Sequence, residues 1–432
     1  MLFRTQMSEL KSPYKDTTSD AAILNLAVQF GWIGVGVSEQ FRPTAIMKKE
    51  ELYSVLGKIH TTYQSDFDML HGYYAISSYS QIQYAPSFDS LSFGWSRLEL
   101  SKDLKSVVIN TTSANNNEYY MPSGSKIVLD QLNPEEQSKQ LMVFVKDESV
   151  YDATLGKTVS MAEFVLSHET FADQAIEGIM DTLSKNTYYE GVLIDFEGLK
   201  GDQNASHLND FLSKIDKKLE QSGLSLYVAV HPVRKTGLAY YDGYDYKTIG
   251  EYADYVVLMA HDYYAKKLST SDMNLGYTVT PLTPINEIYI ALSAITDKNT
   301  GVTDKDKVLL QLSFDSVQWK LKEGNITNAL PYHPTYAAIA SRIDSGVVSK
   351  YSTALQSPYL EFIDAKDGTS NVVWYENEKS VQAKIDMAKM FGIGGISLWR
   401  LGTIPNVDID GQSELKIWDT ILKNIDERSS ES

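Results

Sequence analysis

Polar and apolar positions change rhythm once along this chain. From Ser19 to about Ile59 the spacing is helical: Ile23, Leu26, Ala27 and Phe30 recur at intervals of three and four, with Ser19 or Asp20 placed to cap the first turn and Gly31 and Gly34 to end it. A loop carrying Phe41, Arg42 and Pro43 follows, after which Leu52, Val55, Leu56 and Ile59 share a second helical face. Residues 1–62 are expected to form a helical segment built round one hairpin.

Beyond His71 the apolar runs shorten and alternate with stretches of helical spacing. The runs are Tyr73 to Tyr79, Ser90 to Leu98, Leu141 to Lys146, Gly191 to Glu197, Leu224 to His231, Tyr255 to Tyr263, Val308 to Phe314 and Gly395 to Leu401. Val256-Val257-Leu258-Met259 and Val308-Leu309-Leu310 are apolar on both faces, as strands of a buried parallel sheet must be. Strand and helix alternating eight times across residues 70–428 predict an α/β fold, a (β/α)8 TIM barrel. Barrel chemistry sits at the carboxyl ends of strands, so the last residues of each run are the functional candidates.

The fourth run ends in two acids. Side chains alternate along a strand, so Asp195 and Glu197 project to the same side near the barrel mouth. Two carboxyls in a partly desolvated pocket oppose each other's ionisation, which keeps one protonated near neutral pH; a glycosidic oxygen needs such a group as it leaves. A structural pair bonded to lysine or backbone at the barrel rim would have the same spacing.

Composition narrows the partners. The hydrophobic content of 43% fits a soluble globular protein. A formal charge of −17 repels a phosphate backbone, and no Lys/Arg stripe interleaved with aromatics offsets it, which excludes nucleic acid. The absence of cysteine excludes disulfides and thiolate metal sites, and the histidines show no His-x-x-x-His spacing to suggest a metal. No apolar run approaches the roughly 20 residues that span a bilayer. The opening MLFRTQMSEL lacks the apolar core of a signal peptide.

The segment Glu190 to Glu197 resembles the catalytic strand of glycoside hydrolase family 18, whose signature is Asp-x-x-Asp-x-Asp-x-Glu; Glu190, Leu193, Asp195 and Glu197 occupy the four positions. Leu193 departs from the pattern. The resemblance extends over about residues 70 to 425. Met259-Ala260-His261-Asp262-Tyr263 is similar to the family's Met-x-Tyr-Asp, with His261 in place of Tyr, and Trp399 stands where the family has a Trp that floors the sugar site. The stretch from about 329 to 376 is similar to the small insertion domain between the seventh and eighth strands.

This resemblance implies a chitinase-like glycosidase that hydrolyses β-1,4 bonds of N-acetylglucosamine-containing glycans, of chitin or peptidoglycan type. The reaction would be retaining and substrate-assisted: the 2-acetamido oxygen attacks the anomeric carbon, and neither metal nor organic cofactor is needed. Glu197 is then the general acid, Asp195 orients the acetamido group, and His261 donates to its carbonyl, with Tyr263 on the same face as a competing donor. Trp399 offers a flat apolar face to the sugar. Tyr79, Trp95, His231 and Asp262 fall near predicted strand ends and are further sugar-contacting candidates, or structural. Leu193 removes an acid that shares a proton with Asp195 in the family, so Asp195 is expected to ionise more readily here. The alternative is a non-catalytic, lectin-like barrel, a class that usually lacks the acid.

Residues 9 to 61 resemble one S-layer homology repeat through Gly31-Trp32-Ile33-Gly34, Phe41-Arg42-Pro43 and Met47-Lys48-Lys49-Glu50, where that family usually reads Thr-Arg-Ala-Glu at the last four. The likeness implies contact with a cell-wall polymer. With the substrate class, it implies an extracellular location on the wall or spore.

Overall fold

The computed structural model describes residues 11–17, 20–64, 67–133, 135–146, 148–234, 241–276, 278–409 and 415–425. The opening decapeptide and Ser19 lie outside them. Eight strands form the centre: β1 (Met69–Tyr74), β2 (Ser90–Leu100), β3 (Ser138–Val145), β4 (Gly191–Asp195), β5 (Ser225–Val230), β6 (Tyr255–Leu258), β7 (Val308–Ser313) and β8 (Gly395–Trp399). Each pairs in parallel with the next, and β8 returns to β1 through Met69 opposite Gly395, so the sheet closes into a (β/α)8 barrel. Closure leaves no free edge on the ring of strands.

The alternation in β4 shows how the sequence sorts its side chains. Val192, Ile194 and Phe196 face outward into the main core under the helices, whereas Leu193 faces the barrel interior with Met142, Tyr227, Val257, Met259 and Leu309. Gly191 starts the strand because a Cβ there would lie 2.3 Å from the Ser225 carbonyl oxygen and the Gln140 side chain. After the strand, helix Gly201–Ser222 lays Leu208, Phe211, Leu212, Ile215 and Leu219 on the barrel and ends at Gly223, whose φ of +66° suits glycine. A polar cluster sits deep in the barrel: His71 is fully buried, bonded to Ser397 Oγ at 2.8 Å and Ser92 Oγ at 2.9 Å.

Between β7 and β8 the chain builds a five-stranded antiparallel sheet. Its strands, in spatial order, are Asn325–Ile326, Val317–Lys322, Ser370–Trp374, Ser357–Ile363 and Ser349–Ser352. It begins at Val317, earlier than the expected 329. Its apolar side is shared with the connection after β6: Tyr264, Leu268 and Leu282 pack with Val317, Trp319, Val372 and Trp374. Trp319 Nε1 donates to Thr280 Oγ1 (2.7 Å) and Trp374 Nε1 to the Thr278 carbonyl (2.6 Å), lashing that connection to the sheet.

The N-terminal helices are α1 (Ala21–Gln29) and α2 (Lys49–Gln64). They lean on the barrel's outer helices: Phe30 meets Phe391 edge-on at 5.1 Å, Tyr289 Oη donates to Gln29 Oε1, and Lys389 Nζ donates to the Tyr63 carbonyl. The expected apolar face of α2 is only partly covered, since Leu52 and Leu56 are 42% and 50% exposed. No helix among the described residues is long and apolar enough to cross a membrane.

Candidate active site

The strand ends converge on a cavity of about 310 Å³, lined by Asp195, Glu197, His231, His261, Asp262, Tyr263 and Trp399, together with Tyr73, Arg234, Tyr241, Met259, Lys266 and Gln311. Asp195 forms part of its floor and is 3% exposed, directly beyond Leu193 on the inner face of β4. Glu197 stands at the mouth with 46% of its side chain exposed. Burial first, and the Glu197 charge second, raise the pKa of Asp195 well above the usual carboxylate range. Leu193 leaves no acid beneath Asp195, so burial, rather than repulsion from a deeper carboxylate, is the largest cause of the rise.

His231 follows β5, its Nε2 3.6 Å from Glu197 Oε2. Its ring stacks on Tyr241 at 4.3 Å, and burial, aided by the charge of His261, pushes its pKa down to about 4. Two more tyrosines brace this corner. Tyr246 Oη donates to the His231 carbonyl (2.5 Å) and accepts from Val233 N, while Tyr244 Oη donates to the Phe196 carbonyl (2.8 Å), next to Glu197. Gly243 permits the approach, because a Cβ there would come within 2.7 Å of the Leu199–Lys200 backbone.

After β6, His261 Nε2 is hydrogen-bonded to Gln311 Oε1. An amide oxygen only accepts, so Nε2 carries the proton. The other ring nitrogen lies 3.6 Å from Asp262 Oδ1. Burial opposes a charged ring, but Asp262, Gln311 and Glu197 outweigh it and raise the pKa of His261. Burial likewise opposes ionisation of Asp262, yet His261, Lys266 and the Ser313 hydroxyl (3.1 Å) hold its carboxyl well below the ordinary range. Asp262 has φ +56°, a left-handed conformation uncommon outside glycine and characteristic of functional turns. Nε2 of His261 is thus taken by a protein group, while Nδ1 faces Asp262 without a hydrogen bond within 3.5 Å.

Trp399 closes the cavity from the end of β8, its ring edge-on to Tyr73 at 5.0 Å, and a cis peptide bond joins it to Arg400. Tyr263 carries the Arg234 guanidinium 5.1 Å from its ring centroid. Two expected sugar contacts are corrected. Tyr79 lies in the 3-10 segment Ile76–Ser87, 55% exposed and not among the residues lining the cavity, because β1 starts and ends earlier than its apolar run. Trp95 is fully buried on the outer side of the barrel against Phe93 and Tyr74; a register shift between Phe93 and Ser96 interrupts the alternation there. Gln311, Tyr73, Arg234, Tyr241 and Lys266 were not singled out from the sequence. The available signal for Gln311 was a polar residue inside an apolar strand, on the inner face with Leu309.

A closed (β/α)8 barrel, with two carboxylates one residue apart at the end of its fourth strand and an indole across the mouth, has the layout of a barrel glycoside hydrolase. The sequence profile of glycosyl hydrolases family 18 matches residues 155–403, and the chain belongs to that family. Among curated relatives, the uncharacterized glycosylase YvbX of Bacillus subtilis (strain 168) is 26% identical over 273 residues, 62% of this chain and 72% of that protein. The cortical fragment-lytic enzyme of Bacillus anthracis is 26% identical over 250 residues, 57% of this chain and 54% of that protein, so the match spans about half its length. The crystal structure of the Bacillus cereus spore cortex-lytic enzyme SleL shares the fold at a TM-score of 0.62 and 19% identity, covering 84% of this chain and 75% of that one.

Proposed function

We propose that this glycoside hydrolase cleaves β-1,4 bonds in glycans containing N-acetylglucosamine, of peptidoglycan or chitin type, by a retaining, substrate-assisted reaction. The observation that carries the reading is the contrast on β4: an exposed Glu197 at the mouth and a buried Asp195 at the floor of the same cavity. Glu197 gives its proton to the leaving glycosidic oxygen while the acetamido oxygen of the bound sugar attacks the anomeric carbon. Glu197, now a carboxylate, takes a proton from water as that water attacks the same carbon and reopens the ring formed by the acetamido group. Asp195 lies where it can accept from the acetamido N–H, and Trp399 where it can stack on the sugar.

The wall or spore cortex is the proposed location. It is supported by the names of the relatives and by the likeness of the N-terminal hairpin to an S-layer homology repeat, through which the chain would touch a wall polymer. The test is product release from chitin oligomers, vegetative peptidoglycan and spore-cortex peptidoglycan by the unaltered protein and by Glu197→Gln. Cleavage of one substrate, abolished in the variant, is the expected result. Binding without cleavage by either protein would replace this reading with the lectin-like one.

A further inference from the structure

Three buried polar side chains, Gln311, Tyr73 and Asp195, meet at the bottom of the cavity, and their bonding is uneven. Gln311 is 1% exposed; its Oε1 is taken by His261, and its Nε2 makes no well-aligned hydrogen bond among the described residues, with the Tyr73 hydroxyl beside it. Tyr73, 2% exposed and lining the same cavity, has a hydroxyl in the same condition, as does Asp195 Oδ1. Buried donors and acceptors are nearly always satisfied, so unpaired ones gathered in a binding cavity mark the groups a ligand completes.

The orientation of the Gln311 amide is fixed from behind. Asp262 receives Ser313 and faces Lys266, and as a carboxylate it favours the charged ring of His261, which carries a proton on both nitrogens. The protonated Nε2 of the same ring requires an acceptor, which is Gln311 Oε1. The amide N–H2 of Gln311 is thereby committed to the cavity. Two donors, from Gln311 and Tyr73, and one acceptor, from Asp195, are what recognition of a secondary amide demands: donors for its carbonyl oxygen and an acceptor for its N–H.

We propose that Gln311, with Tyr73, holds the carbonyl oxygen of the substrate's N-acyl group, and that Gln311 is a specificity-determining residue for N-acylated over non-acylated sugars. His261 acts through Gln311 as a positioning residue and does not itself touch the sugar. The inference rests on the glycosidase reading above and adds a residue that the sequence did not mark.

The experiment compares the unaltered protein with Gln311→Met, of similar size but without the amide, and Gln311→Glu, of the same shape but without the donor. Turnover is measured on β-1,4-linked N-acetylglucosamine oligomers. Binding of these and of β-1,4-linked glucose oligomers, which lack the acyl group, is measured by calorimetry in a Glu197→Gln background. Losing a buried hydrogen bond to the substrate should lower kcat/KM by at least about tenfold and shrink the preference for the acylated oligomer by a similar factor, with glucose-oligomer binding unchanged. The proposal is overturned if either folded variant keeps both quantities within about twofold of the unaltered protein, or loses affinity for both oligomers equally, as general damage to the site would do. Thermal melts identify a variant that fails to fold, and the other then decides. Should the unaltered protein neither bind nor cleave the acylated oligomer, the glycosidase reading falls first and this inference with it; cleavage by the unaltered protein together with unaffected variants removes the inference alone.

Discussion

His231 Nε2 lies 3.6 Å from Glu197 Oε2, and the ring that carries it is held against Tyr241 while its carbonyl accepts from Tyr246. With its pKa pushed down to about 4, the ring is neutral across the range in which a glycosidase works. It is therefore a polar but uncharged neighbour for Glu197 and leaves that carboxyl free to cycle between acid and base. Replacing it with alanine should lower kcat by about tenfold with KM little changed, because the contact is with the proton donor rather than the sugar. A ring resonance of His231 that titrates near 6.5, or a variant altered only in KM, would contradict this assignment.

The aromatic residues separate into three roles that one mutational series can distinguish. Trp399→Ala should raise KM severalfold or more without loss of stability, since the ring faces the cavity and is only partly buried. Trp95→Ala should cost about 3–5 kcal/mol of folding stability as a fully buried side chain is removed. Tyr79→Ala should change neither by more than about 0.5 kcal/mol in stability or twofold in KM. Denaturant unfolding and steady-state kinetics on the three variants check this; a kinetic defect in Tyr79→Ala would show that the 3-10 segment reaches the substrate.

These assignments show where the sequence was readable. The eight strands were legible because Val-, Leu- and Ile-rich runs are confined to the barrel, and the Asp195–Glu197 pair because period-two alternation survives to the end of β4. Tyr79 was misplaced because β1 itself contains His71 and Gly72, which weaken its apolar signal, while the aromatic and serine-rich stretch beyond continues a strand-like pattern without being a strand. Trp95 was misplaced because a register irregularity cannot be seen in one sequence. The His261–Gln311 bond joins residues 50 positions apart, and only closure of β6 against β7 brings them together.

Acid should weaken the barrel through His71. Burial lowers its pKa from 6.5 to about 3, so between these values the unfolded chain binds a proton that the folded one excludes, and stability falls as pH falls through that window. At about pH 4.5 the loss is roughly 3 kcal/mol, at ~1.4 kcal/mol per pH unit. Denaturant unfolding at pH 7 and pH 4.5 should show a smaller decline for His71→Gln than for the unaltered protein, the difference cancelling the contributions of other groups. Equal declines would exclude His71 as the cause.

Lys384 and Glu376 form an ion pair at the junction between the inserted sheet and helix Glu378–Phe391, both side chains 2% exposed, with Ser380 Oγ also donating to Glu376. Lys384→Met should destabilise the protein by about 3–5 kcal/mol, because it leaves a carboxylate buried without its partner. Adding Glu376→Gln should restore much of the loss. If the double variant is no more stable than the single one in denaturant unfolding, the pair is not the source of the effect.

The inserted sheet shares its apolar side with the chain that leaves β6, where Tyr264 follows directly on the cavity residue Tyr263. Anyone grafting this sheet onto another barrel would need to transplant the 264–282 stretch with it, since Thr278 and Thr280 supply the acceptors for two of its tryptophans. Conversely, trimming the sheet away would strip the backing from one wall of the sugar cavity: the module that looks like an appendage is the abutment against which that wall is built.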